Sequence, residues 1–423
     1  MISTHLIRKQ WSKVWLWMPA ITAFVLPLHP RLSAFSLILW AIVAVVGGLL
    51  SPSNQKKSPR YTRSWSLLGP VLYYIGLVIG MFWTEQIDVG WFALEVKSTM
   101  IILPALFWFQ VRWSENTIWI KRAIEAFLMG LGVFMVLRIL IALGSADTRL
   151  WRYDGLAGPF HPSYIAAYLT LGMFLMPMKS KWRAIFLFLS ALFIGLLASK
   201  AGWLVAILLL GLMVVLKKIH SNRWDLPVMT GLFFLVLGGA LGDQGRMQEF
   251  IGYAMHYDSS PQESNVPSST LHYDNELKES TDLIRVGSSG GRIQAWRASW
   301  TLLKRNPFGV GTGDVIDELV EVYSTQQAEY ARLKQMNPHS AYWQALVTLG
   351  WMGGIVLLLW WGGLLWESIN RRMLSLGVFT AILVCHGIFE SVLELQQGVV
   401  AWVFLGLLLA QQGGHQIPFG RVQ

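Results

Sequence analysis

The chain has 423 residues, 54% of them hydrophobic and 14% charged, with 22 tryptophans. So apolar a composition, arranged in runs of near-spanning length, excludes an ordinary soluble domain and implies an integral membrane protein. The net charge of +10 does not point to nucleic acid, because Lys and Arg gather in short loops between apolar runs.

The N-terminal RKQWSK leads into an apolar run without a clear small-residue cleavage site, so no cleavable leader is expected. Apolar segments then follow at roughly 14–29, 32–50, 67–83, 91–110, 123–143, 162–178, 184–199, 201–216, 226–241, 340–366, 373–390 and 396–410. They predict an all-α integral membrane protein with about twelve transmembrane helices. Alternating crossings put Arg8, Lys9 and Lys13 on the same side as Lys56, Lys57, Arg60 and Arg63. Arg112, Lys121 and Arg122, then Lys179, Lys181 and Arg183, then Lys217, Lys218 and Arg223, and finally Arg371 and Arg372 fall on that side too. The opposite short loops carry only Arg31, Arg149, Arg152 and Lys200. The positive-inside rule then predicts cytoplasmic termini.

One outer loop is far longer than the rest, which divides the chain into helices 1–9 (1–241), a large periplasmic loop (242–338), and helices 10–12 with a cytoplasmic tail (339–423). Within the loop, 258–282 is rich in Ser, Asp, Glu and Pro and reads as a flexible excursion. Residues 290–305 have helical periodicity, and 315–335 read as a surface helix with Val315, Ile316, Leu319 and Val322 on one face. So long a loop in a compact membrane protein is functional or disordered. The single cysteine, Cys385, lies in an apolar run, so neither an intramolecular disulfide nor a cysteine-based metal site is possible.

Cationic groups collect towards the outer face. Lys200 sits in ASKAG, Arg292 and Arg297 lie on the loop's expected helix, and Arg152 and His161 flank WRYDGLAGPFHPSY. Arg138 and Lys97 lie about two turns inside their helices, where a charge needs a partner or a purpose; snorkelling, or pairing with Glu95 or Glu125, is the plain account of both. His339, in MNPHSAYWQALVTLGWMGG, is expected in the first turn of the tenth helix, behind an Asn337 cap and Pro338. Several cations on one side imply a shared anionic ligand such as a phosphate or pyrophosphate. Each also has a plain structural reading: His161 as a helix-start residue, Lys200 as an interfacial anchor, Arg292 as a solvated charge, His339 as a cap. The GVGTGD at 309–314 resembles a dinucleotide fingerprint but follows NPF rather than a strand, so its glycines are expected to make a turn. Neither an Asp-x-Asp pair nor HExxH occurs, so a metal- and nucleotide-dependent mechanism has no support.

Four stretches, in this order, resemble the O-antigen ligase and polymerase superfamily of bacterial membrane glycosyltransferases: GPFHPSYIAAYL (158–169), LLASKAGWLVA (196–206), SGGRIQAWRASWTLLKRNPFGVGTGD (289–314) and NPHSAYWQALVTLGWMGG (337–354). Lys200 stands where many members carry arginine, and Trp296 where ligases often show leucine. The resemblance implies a GT-C-like fold in the bacterial inner membrane, with a periplasmic site and no cofactor or metal. It implies a donor glycan on undecaprenyl diphosphate, lipid A–core as acceptor, and membrane lipids rather than nucleic acid as surroundings. His339 and Arg292 are then the expected catalytic residues, and Lys200, Arg292 and Arg297 the pyrophosphate ligands. His161, Arg152 and Arg138 are expected in support, with Trp151, Tyr153, Tyr342 and Trp343 along the sugar path or in the ordinary interfacial belt. The single large outer loop between the ninth and tenth segments leans towards a ligase; a polymerase uses the same donor site. A secondary transporter shares the twelve-helix layout, but the chain shows neither an internal repeat nor midplane candidates.

Overall fold

The computed structural model describes residues 2–50, 64–114, 117–177, 182–217 and 274–412. All regular structure among them is helical. The membrane helices are α1 (Ile2–Val25), α2 (Pro30–Leu50), α3 (Trp65–Gly80), α4 (Ile87–Lys97), α5 (Thr99–Trp113), α6 (Ile118–Leu143), α8 (Pro162–Leu175), α9 (Arg183–Leu196), α10 (Lys200–Lys217), α14 (Ala341–Asn370), α15 (Leu374–Phe389) and α16 (Gln396–Ala410). Short α7 (Tyr153–Ala157) precedes α8, and α11 (Asp274–Arg305), α12 (Val315–Thr325) and α13 (Glu329–Leu333) precede α14. Each expected apolar segment meets a helix except 226–241, which lies outside the described residues, as do 242–273 and several of the basic loop residues. The expected 91–110 crossing is α4 running on into α5 through Ser98, whose backbone stays helical.

Five stretches are long and apolar enough to span a bilayer: Pro30–Gly47, Trp65–Trp83, Ile87–Arg112, Ile118–Leu143 and Ala341–Asn370. Shorter apolar helices accompany them, so this is a multi-pass membrane protein. α8 and α16 are buried around almost their whole circumference, which is why they are apolar on every face. Trp40, Phe107 and Phe404 pack edge to face between α2, α5 and α16, and Phe127, Tyr168 and Trp402 continue the aromatic core. The outer faces present Phe35, Ile42, Val45, Leu140 and Leu358, as lipid contact requires.

Helices in lipid hold together by close packing, and α3 and α14 show how. Gly69 lies against the Trp360 ring and Gly363 against the Trp65 ring; a Cβ at either glycine would overlap the indole. Glu367 then ties one end of this pair, accepting from Ser64 Oγ (2.8 Å) and the Trp65 N–H (3.2 Å) and pairing with Arg371 (2.9 Å).

The segment before α14 docks into a break in that helix. Gly350 has φ 64° and ψ −155°, a conformation open only to glycine. The break frees carbonyls that the 306–314 turn uses: Val310 N donates to Val347 O and Gly311 N to Thr348 O, while Trp351 N donates to Pro307 O. Thr84 Oγ1 receives Thr312 N at 2.8 Å, and the Asp314 carboxylate receives the Glu85 and Gln86 amides at 2.9 and 2.7 Å. The glycines of GVGTGD thus make a turn, as expected, and that turn anchors α11–α13 to the membrane helices.

Two expectations change in this region. α11 begins at Asp274, so 274–282 are helical rather than an excursion. The expected 315–335 helix is two helices, because Gln327 turns left-handed at φ 54° between α12 and α13. Of the expected apolar face, Val315, Leu319 and Val322 join Ala295, Ala298, Leu302 and Tyr323 in a small second core, while Ile316 is only half-buried.

Candidate active site

Four non-adjacent parts of the chain meet at one carboxylate. Glu390, 7% exposed in the connection after α15, lies with Oε1 2.9 Å from Arg292 Nη2 and 3.9 Å from His161 Nδ1. Its Oε2 is 3.8 Å from His339 Nδ1. Local chemistry explains each placement. His161 caps α8, with Pro162 at the first helical position, and its Nδ1 is 2.6 Å from Ser163 Oγ. Arg292 stands on α11 where that helix meets α14, and the neighbouring Trp296 Nε1 donates to Pro338 O at 2.9 Å.

His339 is not in the first turn of α14. Ser340 is the N-cap and α14 starts at Ala341, so His339 lies just before the helix, left-handed at φ 45°. Asn337 Oδ1 accepts the His339 amide at 2.9 Å and so holds this turn rather than capping the helix. Such a conformation costs a non-glycine residue about 1 kcal/mol or more and persists where its surroundings enforce it. Here they do: Ser340 N donates to Ser391 Oγ (3.1 Å) and Ala341 N to Glu390 O (3.1 Å), so the His339 and Glu390 backbones are laced together.

Burial alone would raise the Glu390 pKa. The adjoining His339, then the charges of Arg292, His161 and His386, outweigh it and hold the carboxyl at about 2. Burial lowers the His161 pKa, against Glu390 and Asp154, with Arg292 and His339 lowering it further. At neutral pH the cluster therefore holds a carboxylate, a guanidinium and a neutral His161. Both depressed values make stability fall on the acid side. The His161 contribution is complete above the free-imidazole value of 6.5 and is lost as pH drops through its lower folded value. The Glu390 contribution, roughly 3 kcal/mol by linkage, is complete above 4.5 and lost as pH falls towards 2. The detergent-solubilised protein should lose unfolding temperature in that lower window, and Glu390→Gln should flatten the loss; an unchanged slope would contradict this ionisation.

The other expected residues sit as follows. Arg138 donates to the carbonyls of Gly155 and of Leu156 (3.1 Å for the latter), fixing the end of α7. Lys97 pairs with Glu394 (2.9 Å), not with Glu95 or Glu125. Arg152 is the exposed residue before α7, next to Tyr153, whose ring meets His161 at 6.4 Å. Lys200, half-buried, opens α10, whose Gly202 lies against Ala166 of α8; Arg297 is exposed on α11. Trp343 packs edge to face on Trp300, and Tyr342 on Trp361 with its hydroxyl donating to Val384 O. Trp151 is half-buried before α7.

Glu390 is the residue that sequence reasoning missed. Its signal was present: FESVLELQQG places two carboxylates in a short connection between apolar runs, where acids are as costly as bases.

An imidazole beside a buried carboxylate and an arginine is an arrangement for binding an anion and moving a proton from a hydroxyl. No curated protein matches the chain. The family model described as O-antigen ligase matches residues 185–358, which include Lys200, Arg292, Arg297 and His339 but neither His161 nor Glu390. That family holds ligases and polymerases that transfer glycans, and it implies lipid-linked glycan substrates. Through residues 185–358, this multi-pass membrane protein carries a domain of the O-antigen ligase family.

Proposed function

We propose that the protein is an O-antigen ligase of the bacterial inner membrane. It transfers a glycan from undecaprenyl diphosphate to a sugar of lipid A–core at the periplasmic face, with both termini in the cytoplasm. The observation that carries this reading is the meeting of Arg292 and His339, from separate parts of the family segment, at Glu390. Arg292, with Lys200 and Arg297, holds the donor diphosphate and stabilises the charge that grows as the glycosidic bond breaks. Three cations supply that stabilisation, so the reaction proceeds without a metal. His339 presents Nδ1 to Glu390 and leaves Nε2 for the acceptor hydroxyl, whose proton it takes. The hydroxyl oxygen forms the new bond to the anomeric carbon from the face opposite the diphosphate. Undecaprenyl diphosphate departs with the electron pair, and the anomeric configuration inverts. His161, Arg152 and Arg138 support this site from the α7–α8 side.

The test is transfer by purified protein given an undecaprenyl diphosphate-linked glycan and lipid A–core, with EDTA and no nucleotide. Transfer to lipid A–core is expected. Growth of the glycan on its own lipid carrier would instead make the enzyme a polymerase using the same donor site. Failure with both acceptors, or dependence on metal, would overturn the reading.

A further inference from the structure

The contact between Arg292 and Glu390 has an unusual form for a buried ion pair. Arginine–carboxylate pairs are frequently bidentate, and a buried pair repays its desolvation only where the remaining donors are hydrogen-bonded. Here a single nitrogen, Nη2, reaches Glu390 Oε1 at 2.9 Å, while Arg292 Nε is buried without a hydrogen-bond partner among the described residues. A buried donor without an acceptor is a group waiting for one, since desolvation has already been incurred.

The carboxylate is equally unsettled. Glu390 lies between two imidazoles, yet His161 and His339 stand at 3.9 and 3.8 Å, beyond hydrogen-bonding distance. Arg292 draws Oε1 to itself, and the imidazoles are left at ion-pair range. The same carboxylate thus has two possible employments, and its present position satisfies only the first.

We propose that Glu390 is an internal counter-anion, displaced from Arg292 when the donor diphosphate binds, and that the freed carboxylate then closes on His339. This rests on the donor reading given above. Diphosphate offers several oxygens to the guanidinium and fills the open Nε donor as well as Nη2. Its charge also repels a carboxylate on the same guanidinium, and His339 lies on the other oxygen of Glu390 to receive it. Once hydrogen-bonded to Glu390 Oε2, the Nδ1–H fixes the tautomer in which Nε2 is the base. No proton passes to Glu390; the hydroxyl proton stays on the imidazole, now an imidazolium beside a carboxylate. Donor binding and readiness of the base become one event, so the base is not engaged before the donor is seated.

The exchange predicts opposite effects on binding and turnover. The experiment uses the full chain in lipid nanodiscs, with undecaprenyl diphosphate as binding probe and a single-turnover transfer assay. Glu390→Gln removes the competing charge and should bind the probe at least about tenfold more tightly, while transfer from saturated enzyme falls about 100-fold. Glu390→Ala, which reaches neither partner, should show the same split and serves if the Gln variant does not fold. The gain in affinity should vanish in an Arg292→Ala background. If Glu390 merely holds Arg292 in place, both neutral variants will bind the probe more weakly or equally, and the exchange is overturned while the donor site stands. If wild-type protein does not bind the probe at all, the donor reading fails and the exchange with it.

Discussion

Arg292→Ala is expected to lower the rate of glycan transfer by about 10²–10³-fold, the usual loss when one preorganised group facing developing charge is removed. Two effects act together. The diphosphate loses the cation at the centre of the cluster, and Glu390, buried beside two histidines, loses its 2.9 Å partner. Arg292→Lys separates them: it retains the charge but not the planar fork, so it should recover part of the loss. His339→Ala should cost a comparable or greater factor, about 10²–10⁴-fold, by removing the base. The two losses should not add, because both residues serve one step through the same carboxylate. Turnover measured at saturating donor decides the matter. If either alanine variant transfers at the wild-type rate, the site has been misassigned.

The largest stability effect is expected at Lys97. Its ammonium is buried to 3% exposure at the end of α4 and lies 2.9 Å from Glu394, beside the buried Tyr73. Lys97→Met leaves the Glu394 carboxylate, 22% exposed, without its ammonium and should destabilise the protein by about 1–3 kcal/mol. Replacing both partners, Lys97→Met with Glu394→Gln, should recover most of this, because the cost lies in the stranded charge rather than in the lost attraction. Thermal unfolding in detergent measures both. The effect also extends to activity. Glu394 belongs to the same short connection as Glu390, whose Val392 and Leu393 are buried in the core. Loosening one end of that connection should slow transfer in the single variant and restore it in the double. A single variant as stable as wild type would show that the pair contributes nothing to the fold.

The site that these experiments probe was only partly legible in the chain. Apolar runs predicted the helices well, because lipid forces each backbone group into an intrahelical bond and so writes length and composition directly into the sequence. The cations were legible for the same reason, as charges that stand out against apolar surroundings. His161 could be read as a helix-start residue, and it caps α8; that it also faces Glu390 depends on α15 lying beside α8, which no local pattern encodes.

What the sequence by itself determined is the all-helical membrane character, the position of the segment before α14 and the kinds of charge gathered there. Those follow from solvation and local backbone preference, which act residue by residue. Which charges meet is decided only in three dimensions. Lys97 and Glu394 are bonded across 297 positions of chain, and Arg292 and Glu390 across 98. Such pairings are set by helix packing, with glycines at 69 and 363 admitting indole rings and Gly350 opening α14 to the turn below α11. A carboxylate becomes the hub of a site because packing removes water from it and leaves three basic side chains as its remaining partners.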